Sequence, residues 1–373
     1  MAEPLRIGVA GLGAVAELHI AACQNVSGAS VVAGADRDEQ RGSRMAERYG
    51  FRAYAEVDSM LREVDLDAVC ALVPAAAHRD IVVACAEAGL HVLCEKPLAS
   101  STEDAIDMLT ACRRAGVKLF YGASYRFLPA VIAARRAIHA GAIGDVTLLV
   151  ESCLGGGGID AYRSLPFSHY PEGQPGGPGL GLVDHGIHMI DLFPWLLDSR
   201  IDRVSGRGII SGGPPTTEYM LMQLDNGAIG YLLYNNFTFS TDLPQHGAFS
   251  QGLSWSSDGS LKPEGSWVEH PGVIHVYGTR GALRVGHYLN SLHLTDSAGV
   301  RELPVVGDAA PAHFASQLES FVDCIRGDRP PEVAGEDGFR ALVALLAAYE
   351  SERVGAAITI PEHSARQATQ NRP

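Results

Sequence analysis

Two hydrophobic periods divide the chain. From residue 5 to residue 122, short apolar runs occur at RIGVAG (6–11), SVVAGAD (30–36), LDAVCALV (66–73), LHVLCEK (90–96) and VKLFYG (117–122). Between them lie 14–26, 37–49, 78–89 and 103–115, where apolar residues recur every three to four positions. Runs of the first kind suit strands buried on both faces, and the second period is that of a helix. Strictly alternating strands and helices predict a parallel, doubly wound sheet with right-handed crossovers, the Rossmann class of α/β fold.

The pattern changes near residue 125. AVIAARRAIHAGAIGDV (130–146) predicts a helix that stops near Gly141. From 146 to 295 the strands become longer and alternate in polarity: VTLLVESC, RVSGRGII, EYMLMQLDN, AIGYLLYNNF and VIHVYGT. LDNGAIG puts Asn226-Gly227 at a hairpin turn. This half is expected to be an α/β domain with a large open, mostly antiparallel sheet. HFASQLESFVDCIRG (313–327) and GEDGFRALVALLAAYESERVG (335–355) are late helices that pack on the sheet or return to the first domain. The expected domains are 1–125 and 126–361, with 362–373 a frayed tail. Two long irregular stretches, 154–180 and 239–270, stand apart, since loops beyond ~12–15 residues are usually functional or disordered. The stretch from Gly155 to Gly181 is expected to border a substrate through Tyr162, Arg163 and His169.

The 373 residues agree with about two domains at ~150 residues each. The chain is 46% hydrophobic and 19% charged, enough to bury a core. A net charge of −14 argues against nucleic acid as a partner. Cysteines 23, 70, 85, 94, 112, 153 and 324 form no CxxC pair and sit in apolar patterns, so buried thiols and a reducing compartment are expected. MAEPLRIGVAGLG enters a strand without a signal-peptide core, and no run of ~18 apolar residues lacks a charge. The expected setting is cytoplasmic, without a membrane partner.

GVAGLGAVAELH places Gly11-x-Gly13-x-x-Ala16 between a strand and a helix. The glycines permit a tight turn and close approach of a pyrophosphate, Ala16 permits helix–strand contact, and the helix N-terminus attracts the anion. Asp36 ends the second strand, where a carboxylate reaches ribose hydroxyls. It favours NAD by repelling a 2′-phosphate. Arg37, assisted by Arg41 one turn on, keeps NADP possible.

In GLVDHGIHMIDLFPWLL (181–197), Asp184, His188 and Asp191 fall on one helical face, an arrangement suited to proton transfer. Oxidising an alcohol needs a hydride acceptor, a base and a cation beside the developing alkoxide. Lys96, pinned by Pro97 at a strand's carboxyl end, supplies the cation.

Together GVAGLGAVA, VPAAAHRDIVVACAEAGLHVLCEKPLA, YGASYRFLPAV, AGAIGDV, GLVDHGIHMID, GTRGALRV and PEVAGEDGFRALVALLAAYES resemble the Gfo/Idh/MocA oxidoreductases, the group of glucose–fructose oxidoreductase and inositol dehydrogenase. The likeness covers roughly residues 5 to 361. It implies a Rossmann domain, a tightly held NAD or NADP, and a sugar- or polyol-like substrate. It maps the catalytic group onto Lys96, Asp184 and His188, and the family's T-P-x-x-x-H stretch onto Pro74 and His78. Ala14, Val15, Val73 and Glu95 complete the residues expected at the cofactor. Tyr125, Tyr162 and Arg163, with the catalytic three, are those expected at the substrate. Ala75 stands where the family often has Asn, and the segment before Arg126-Phe127 reads ASY. No resident metal is expected, and a homo-oligomer, dimer or tetramer, is.

Other readings stay open. A lyase of the same fold would oxidise the sugar transiently and return the hydride. A dinucleotide-sensing regulator would have no need of a base. A metal hydrolase would use His169, Asp184, His185 and His188, but His185 points about 100° from Asp184 on a helix, so these ligands converge poorly.

Overall fold

The computed structural model describes residues 3–156, 158–164, 172–177, 181–239 and 273–361. They fall into two compact units. Among the described residues, the first takes the chain up to Ser124 together with Phe314–Leu342, and the second takes Tyr125–His313 and residues 343–361.

The first unit runs β1 (Leu5–Ala10), α1 (Ala14–Asn25), β2 (Ala29–Ala35), α2 (Glu39–Tyr49), β3 (Arg52–Tyr54), α3 (Val57–Glu63), β4 (Ala68–Ala71), α4 (His78–Glu87), β5 (His91–Cys94), α5 (Thr102–Ala115) and β6 (Leu119–Tyr121). The strands order as β3-β2-β1-β4-β5-β6, and every pairing is parallel. This is the expected doubly wound sheet, whose order reverses beside β1. Its central strands are apolar on both faces. Val69, Val92 and Leu93 are fully buried, each stabilising the fold by about 1.5–3 kcal/mol. The helices are punctuated locally. Asp38 caps α2 by accepting the Arg41 N–H at 3.0 Å, and Ser101 caps α5 by accepting that of Asp104 at 3.1 Å. β3 and α3 were not expected, because three half-exposed residues carry no apolar run.

The second unit runs α6 (Pro129–His139), β7 (Val146–Gly156), α7 (Gly158–Ser164), a π-helical turn (Leu182–Gly186), α8 (Ile187–Leu196), β8 (Ile201–Arg207), β9 (Glu218–Leu224), β10 (Ile229–Phe239), β11 (Val273–Gly278), β12 (Gly281–Gly286), β13 (Ser291–Asp296), β14 (Gly299–Glu302) and β15 (Ile358–Thr359). Two late helices, α9 (His313–Arg326) and α10 (Gly335–Val354), lie where the sequence predicts them. The nine strands order as β14-β13-β12-β11-β7-β10-β9-β8-β15. β7 and β10 pair in parallel, and the other strand pairs are antiparallel. β9 shows the half-buried alternation plainly. Met220 and Met222 are fully buried, whereas Tyr219 and Leu221 face outward. The predicted hairpin joins β9 to β10, with Gly227 at φ +88° in the turn.

The stretch 154–180 is not irregular throughout. β7 continues to Gly156, and α7 occupies seven of its residues. The insert expected at 239–270 lies outside the described residues, except for Phe239 at the end of β10, as does the tail from 362.

Candidate functional site

The nucleotide end belongs to the first unit. Gly11 follows β1 with φ +89°, and a Cβ there would stand 2.7 Å from the Leu72 carbonyl oxygen, so only glycine fits. Gly13 is the N-cap of α1, and a Cβ on it would meet no described protein atom within 4 Å. The turn therefore leaves open space at a helix N-terminus that no side chain caps, which fits an approaching pyrophosphate. Ala14 is exposed, Val15 half-buried, and Ala16 fully buried where the helix meets the sheet. Asp36 also has a structural part. One carboxylate oxygen accepts the Leu12 N–H at 2.8 Å and the other accepts that of Asp38 at 2.8 Å, so it ties the glycine turn to the end of β2. Arg41 pairs with Asp36 at 3.1 Å and with Asp38 at 3.0 Å. Arg37 is exposed, so the arginine beside Asp36 is Arg41.

Lys96 sits half-buried on the turn after β5, with Val73 half-buried and Pro74 exposed on the turn after β4. Three contacts fix the lysine turn. Buried Glu95 accepts the Lys96 N–H at 2.9 Å, and its other oxygen meets buried His19 of α1 at 2.9 Å. Burial pushes the Glu95 carboxyl up, but the bond and charge of His19, with the Lys96 charge and N–H, outweigh it, and the net shift is downward. His78, wholly buried at the start of α4, directs Nδ1 at the carbonyls of Pro97 and Leu98, at 3.0 and 3.1 Å. Burial pushes this imidazole below its ordinary range against those carbonyl bonds, so it stays neutral with the proton on Nδ1. His78 thus holds the backbone after Lys96.

Asp184 and His188 belong to the second unit, and the π-helical turn decides where they point. The Gly186 N–H bonds back five residues, to the Gly181 carbonyl at 2.8 Å. The wider turn breaks the single helical face drawn through Asp184, His188 and Asp191. Asp184 is exposed, whereas His188 and Asp191 are buried. Asp191 is therefore not a third member of the acid/base face. It forms a buried, bidentate pair with Arg126, at 2.7 and 2.5 Å. The preceding residue, buried Tyr125, lays its ring flat on the His188 imidazole, with centroids 3.9 Å apart and planes 9° apart. Residues 125 and 126 thus grip α8 at adjacent turns. Of the other expected substrate residues, Tyr162 is buried edge-on against Phe237, and burial pushes its hydroxyl up to about 12. Arg163 is exposed on α7.

The hydrolase ligand set does not assemble among the described residues. His185 turns inward to Glu151 at 2.8 Å while Asp184 faces out, and His169 lies outside the described residues.

Comparison with known proteins gives the family. Residues 5–123 match the model of an oxidoreductase family with an NAD-binding Rossmann fold, and residues 131–284 match the Gfo/Idh/MocA C-terminal domain. The chain belongs to the Gfo/Idh/MocA family. It is an oxidoreductase whose first domain binds a nicotinamide dinucleotide. Among curated relatives it is similar to myo-inositol 2-dehydrogenase of Thermotoga maritima, 24% identical over 93% of this chain and 96% of that one. It is similar also to D-apiose dehydrogenase of Paraburkholderia graminis, 26% identical over 94% of this chain and 88% of that one. In fold it matches an oxidoreductase domain protein from Kribbella flavida with a TM-score of 0.78, at 22% identity over 97% and 100% of the two chains.

One group in this Gfo/Idh/MocA chain escaped the sequence reading. Glu218, at an inward position of β9, is 2% exposed and accepts the N–H groups of Ile209 at 2.9 Å and Leu182 at 3.2 Å. It thereby holds the start of the π-helical turn. Burial raises its carboxyl to about 7, with the two N–H bonds opposing. A folded pKa above the unfolded value of 4.5 means that the folded state binds the proton more tightly. Stability from this group is then full below pH 4.5 and falls as pH rises through 7. The loss amounts to about 3 kcal/mol. Glu218→Gln removes it, so urea unfolding of the two proteins side by side should show the variant gaining about that much on wild type between pH 5 and pH 8. A difference that stays constant with pH would contradict the assignment.

Proposed function

We propose that the chain oxidises a hydroxyl of a sugar, sugar derivative or cyclitol with NAD, or reduces the corresponding ketone. The observation that carries this reading is His188, a buried imidazole held face-on by Tyr125 in a chain whose first domain binds a dinucleotide. The named relatives act on a cyclitol and a sugar, which supports that substrate class. A nicotinamide cofactor would supply the hydride acceptor for oxidation and the hydride donor for reduction. Gly11, Gly13, Ala14, Val15 and Ala16 would hold the pyrophosphate, and Asp36 the adenosine ribose. His188 takes the hydroxyl proton during oxidation and returns it during reduction. Asp184, exposed one turn earlier, keeps the region acidic. Lys96 is the cation that the family resemblance assigns to the developing alkoxide, and the bonds from Glu95 and His78 to its turn fix its backbone. A screen of sugars and cyclitols, followed by reduced-cofactor absorbance with both NAD and NADP, tests the reading. Product formed without net absorbance change would favour the transient-oxidation lyase, and no product from any member would sink both.

Lys96→Met keeps the length of the side chain and removes the charge. Activity should fall to background while the melting temperature stays within a few degrees of wild type. Unchanged kinetics would return Lys96 to a structural role, as would a variant that unfolds.

NAD is proposed over NADP because the Asp36 carboxylate accepts from ribose hydroxyls and repels a 2′-phosphate carrying about two negative charges. Asp36→Ser should weaken NAD binding and strengthen NADP binding, because it removes one of the two carboxylates that pair with Arg41 and leaves only Asp38. Dissociation constants for both cofactors check this, and a wild type that prefers NADP would overturn it.

The outward sheet face bearing Tyr219, Leu221 and Tyr277 is the surface we propose for self-association into dimers or tetramers. Seven buried thiols suit a reducing compartment, and the cytoplasm is proposed on that ground. No helix of the described residues is long and apolar enough to cross a membrane.

A further inference from the structure

Behind Tyr125 the second unit buries a chain of polar side chains that the proposed reaction does not use. Glu151 of β7 is wholly buried. One of its oxygens lies 2.8 Å from His185 Nε2, and the other accepts the Tyr234 hydroxyl at 2.6 Å. His185 Nδ1 faces the Tyr288 hydroxyl at 3.5 Å, and Tyr288 is hydrogen-bonded to Tyr125 through their hydroxyls. The ring of Tyr125 is the one stacked on His188. His287 completes the cluster, its Nε2 3.9 Å from Glu151 and its ring 4.4 Å from that of Tyr288.

The protons in this chain have one self-consistent direction. Burial pushes the Glu151 carboxyl up, but its neighbours His185, then His287 and Tyr234, outweigh it, and the net shift is downward. A carboxylate only accepts, so His185 Nε2 and the Tyr234 hydroxyl both donate to it. In the tautomer that carries the His185 proton on Nε2, Nδ1 accepts and Tyr288 donates there. The Tyr288 oxygen then accepts from Tyr125. Burial raises all three tyrosines well above their ordinary range, so their hydroxyls keep their protons. Every donor points towards Glu151.

The same residues contain a metal-like set, since ligand atoms of Glu151, His185 and His287 lie within 4.8 Å of one another. The spacing favours hydrogen bonds. Glu151 and His185 are 2.8 Å apart, whereas two ligands of a tetrahedral zinc ion stand about 3.3 Å apart.

We propose that this relay positions the acid/base: Glu151 fixes the tautomer of His185, which fixes the hydroxyls of Tyr288 and Tyr125, and the Tyr125 ring sets the plane of the His188 imidazole. The proposal rests on His188 being the acid/base. Glu151, His185, Tyr288 and Tyr125 are positioning residues. The titratable or charged groups around His188 within this unit are Asp184 and Asp191 on its own helical segment, Arg126, which Asp191 neutralises, and Tyr125, His185, Glu151, His287, Tyr288 and His313.

The test uses Tyr125→Phe, Tyr288→Phe, their double variant and Glu151→Gln, in the full chain with NAD and the substrate found by the screen. Each single variant should lower kcat about ten- to a hundredfold while the dissociation constant of NADH stays unchanged. The double variant should cost no more than the worse single, because the hydroxyls act as one chain. In Glu151→Gln a buried negative charge is gone and imidazolium at His188 is less favoured. The rise of kcat/KM with pH during oxidation should therefore move to lower pH. Additive losses in the double variant, or pH profiles equal to wild type, would overturn the relay, and the two tyrosine variants decide it even if Glu151→Gln fails to fold. A stoichiometric divalent metal in the purified protein would overturn it too, since it would occupy the lone pairs that accept these bonds. His188→Ala separates the two levels. If that variant is inactive while the relay variants behave as wild type, only the relay fails. If it is active, the acid/base reading fails first.

Discussion

Replacing His188 with alanine is expected to lower turnover by about two to four orders of magnitude, the usual loss when a positioned general base is removed. The imidazole is 8% exposed and lies 3.9 Å from the Tyr125 ring, centroid to centroid. Its orientation is set by packing, so catalysis need not wait for a rotamer search. Alanine removes the proton acceptor and the stack together. The stack contributes about 0.5–1.5 kcal/mol to stability, too little to unfold a domain of this size. The melting temperature should drop only modestly, so lost activity would report lost chemistry. NADH affinity should barely change, because the glycine turn and Asp36 belong to the other unit. Titration of cofactor fluorescence and a thermal melt check both points. A variant that turns over the true substrate at near wild-type rate would falsify the assignment of His188.

The parts of this molecule that follow from local patterning were legible in the sequence. Buried parallel strands announce themselves as apolar runs, and the hairpin at Asn226-Gly227 announces itself by its turn residues, because both depend on neighbours along the chain. β3 is three half-exposed residues, ordered by pairing with β2 rather than by any pattern of its own. The site was legible as a set of residue types and not as a geometry. Asp184, His188 and Asp191 share a face only on a regular helix, and the π-helical turn is an insertion of phase that composition does not signal. That turn changes the phase of Asp184 relative to His188 and Asp191, which stay together on the regular helix α8. A charged residue within the apolar stretch IDLFPW was the available hint that Asp191 has a buried partner. Glu151 and Glu218 carried a similar signal. Each stands at an inward position of an alternating strand, where only a satisfied carboxylate can remain. His185 is 34 residues from Glu151 and Leu182 is 36 from Glu218, so no local reading could name those partners.

Asp191→Ala is expected to destabilise the second unit by about 3–5 kcal/mol, the largest loss anticipated from any single replacement here. The Arg126 and Asp191 side chains are 8% and 3% exposed and meet through two hydrogen bonds. Arg126 also lies over the Trp195 ring at 5.6 Å. Removing the carboxylate takes from a buried guanidinium, which also lies over Trp195, its bidentate pair of charge-assisted hydrogen bonds. A guanidinium keeps its charge at any pH that the protein survives, so it cannot relieve the cost by losing a proton. The opposite test removes both charges. Arg126→Met with Asp191→Leu replaces the pair by apolar groups of similar bulk, and that double variant should recover most of the stability. The pair's gain largely offsets the cost of drying two charges, whereas a lone charge has no such offset. Urea unfolding of the three proteins at neutral pH measures both effects. An Asp191→Ala protein within 1 kcal/mol of wild type would mean that water reaches Arg126, contrary to its burial. The double variant also asks what the pair does for the chemistry. Tyr125 is the neighbour of Arg126, and its ring rests on His188. If the ion pair sets that register, the double variant will be stable and slow: kcat should fall while the melting temperature is restored. If Tyr125 is held by Tyr288 alone, kcat will return together with stability.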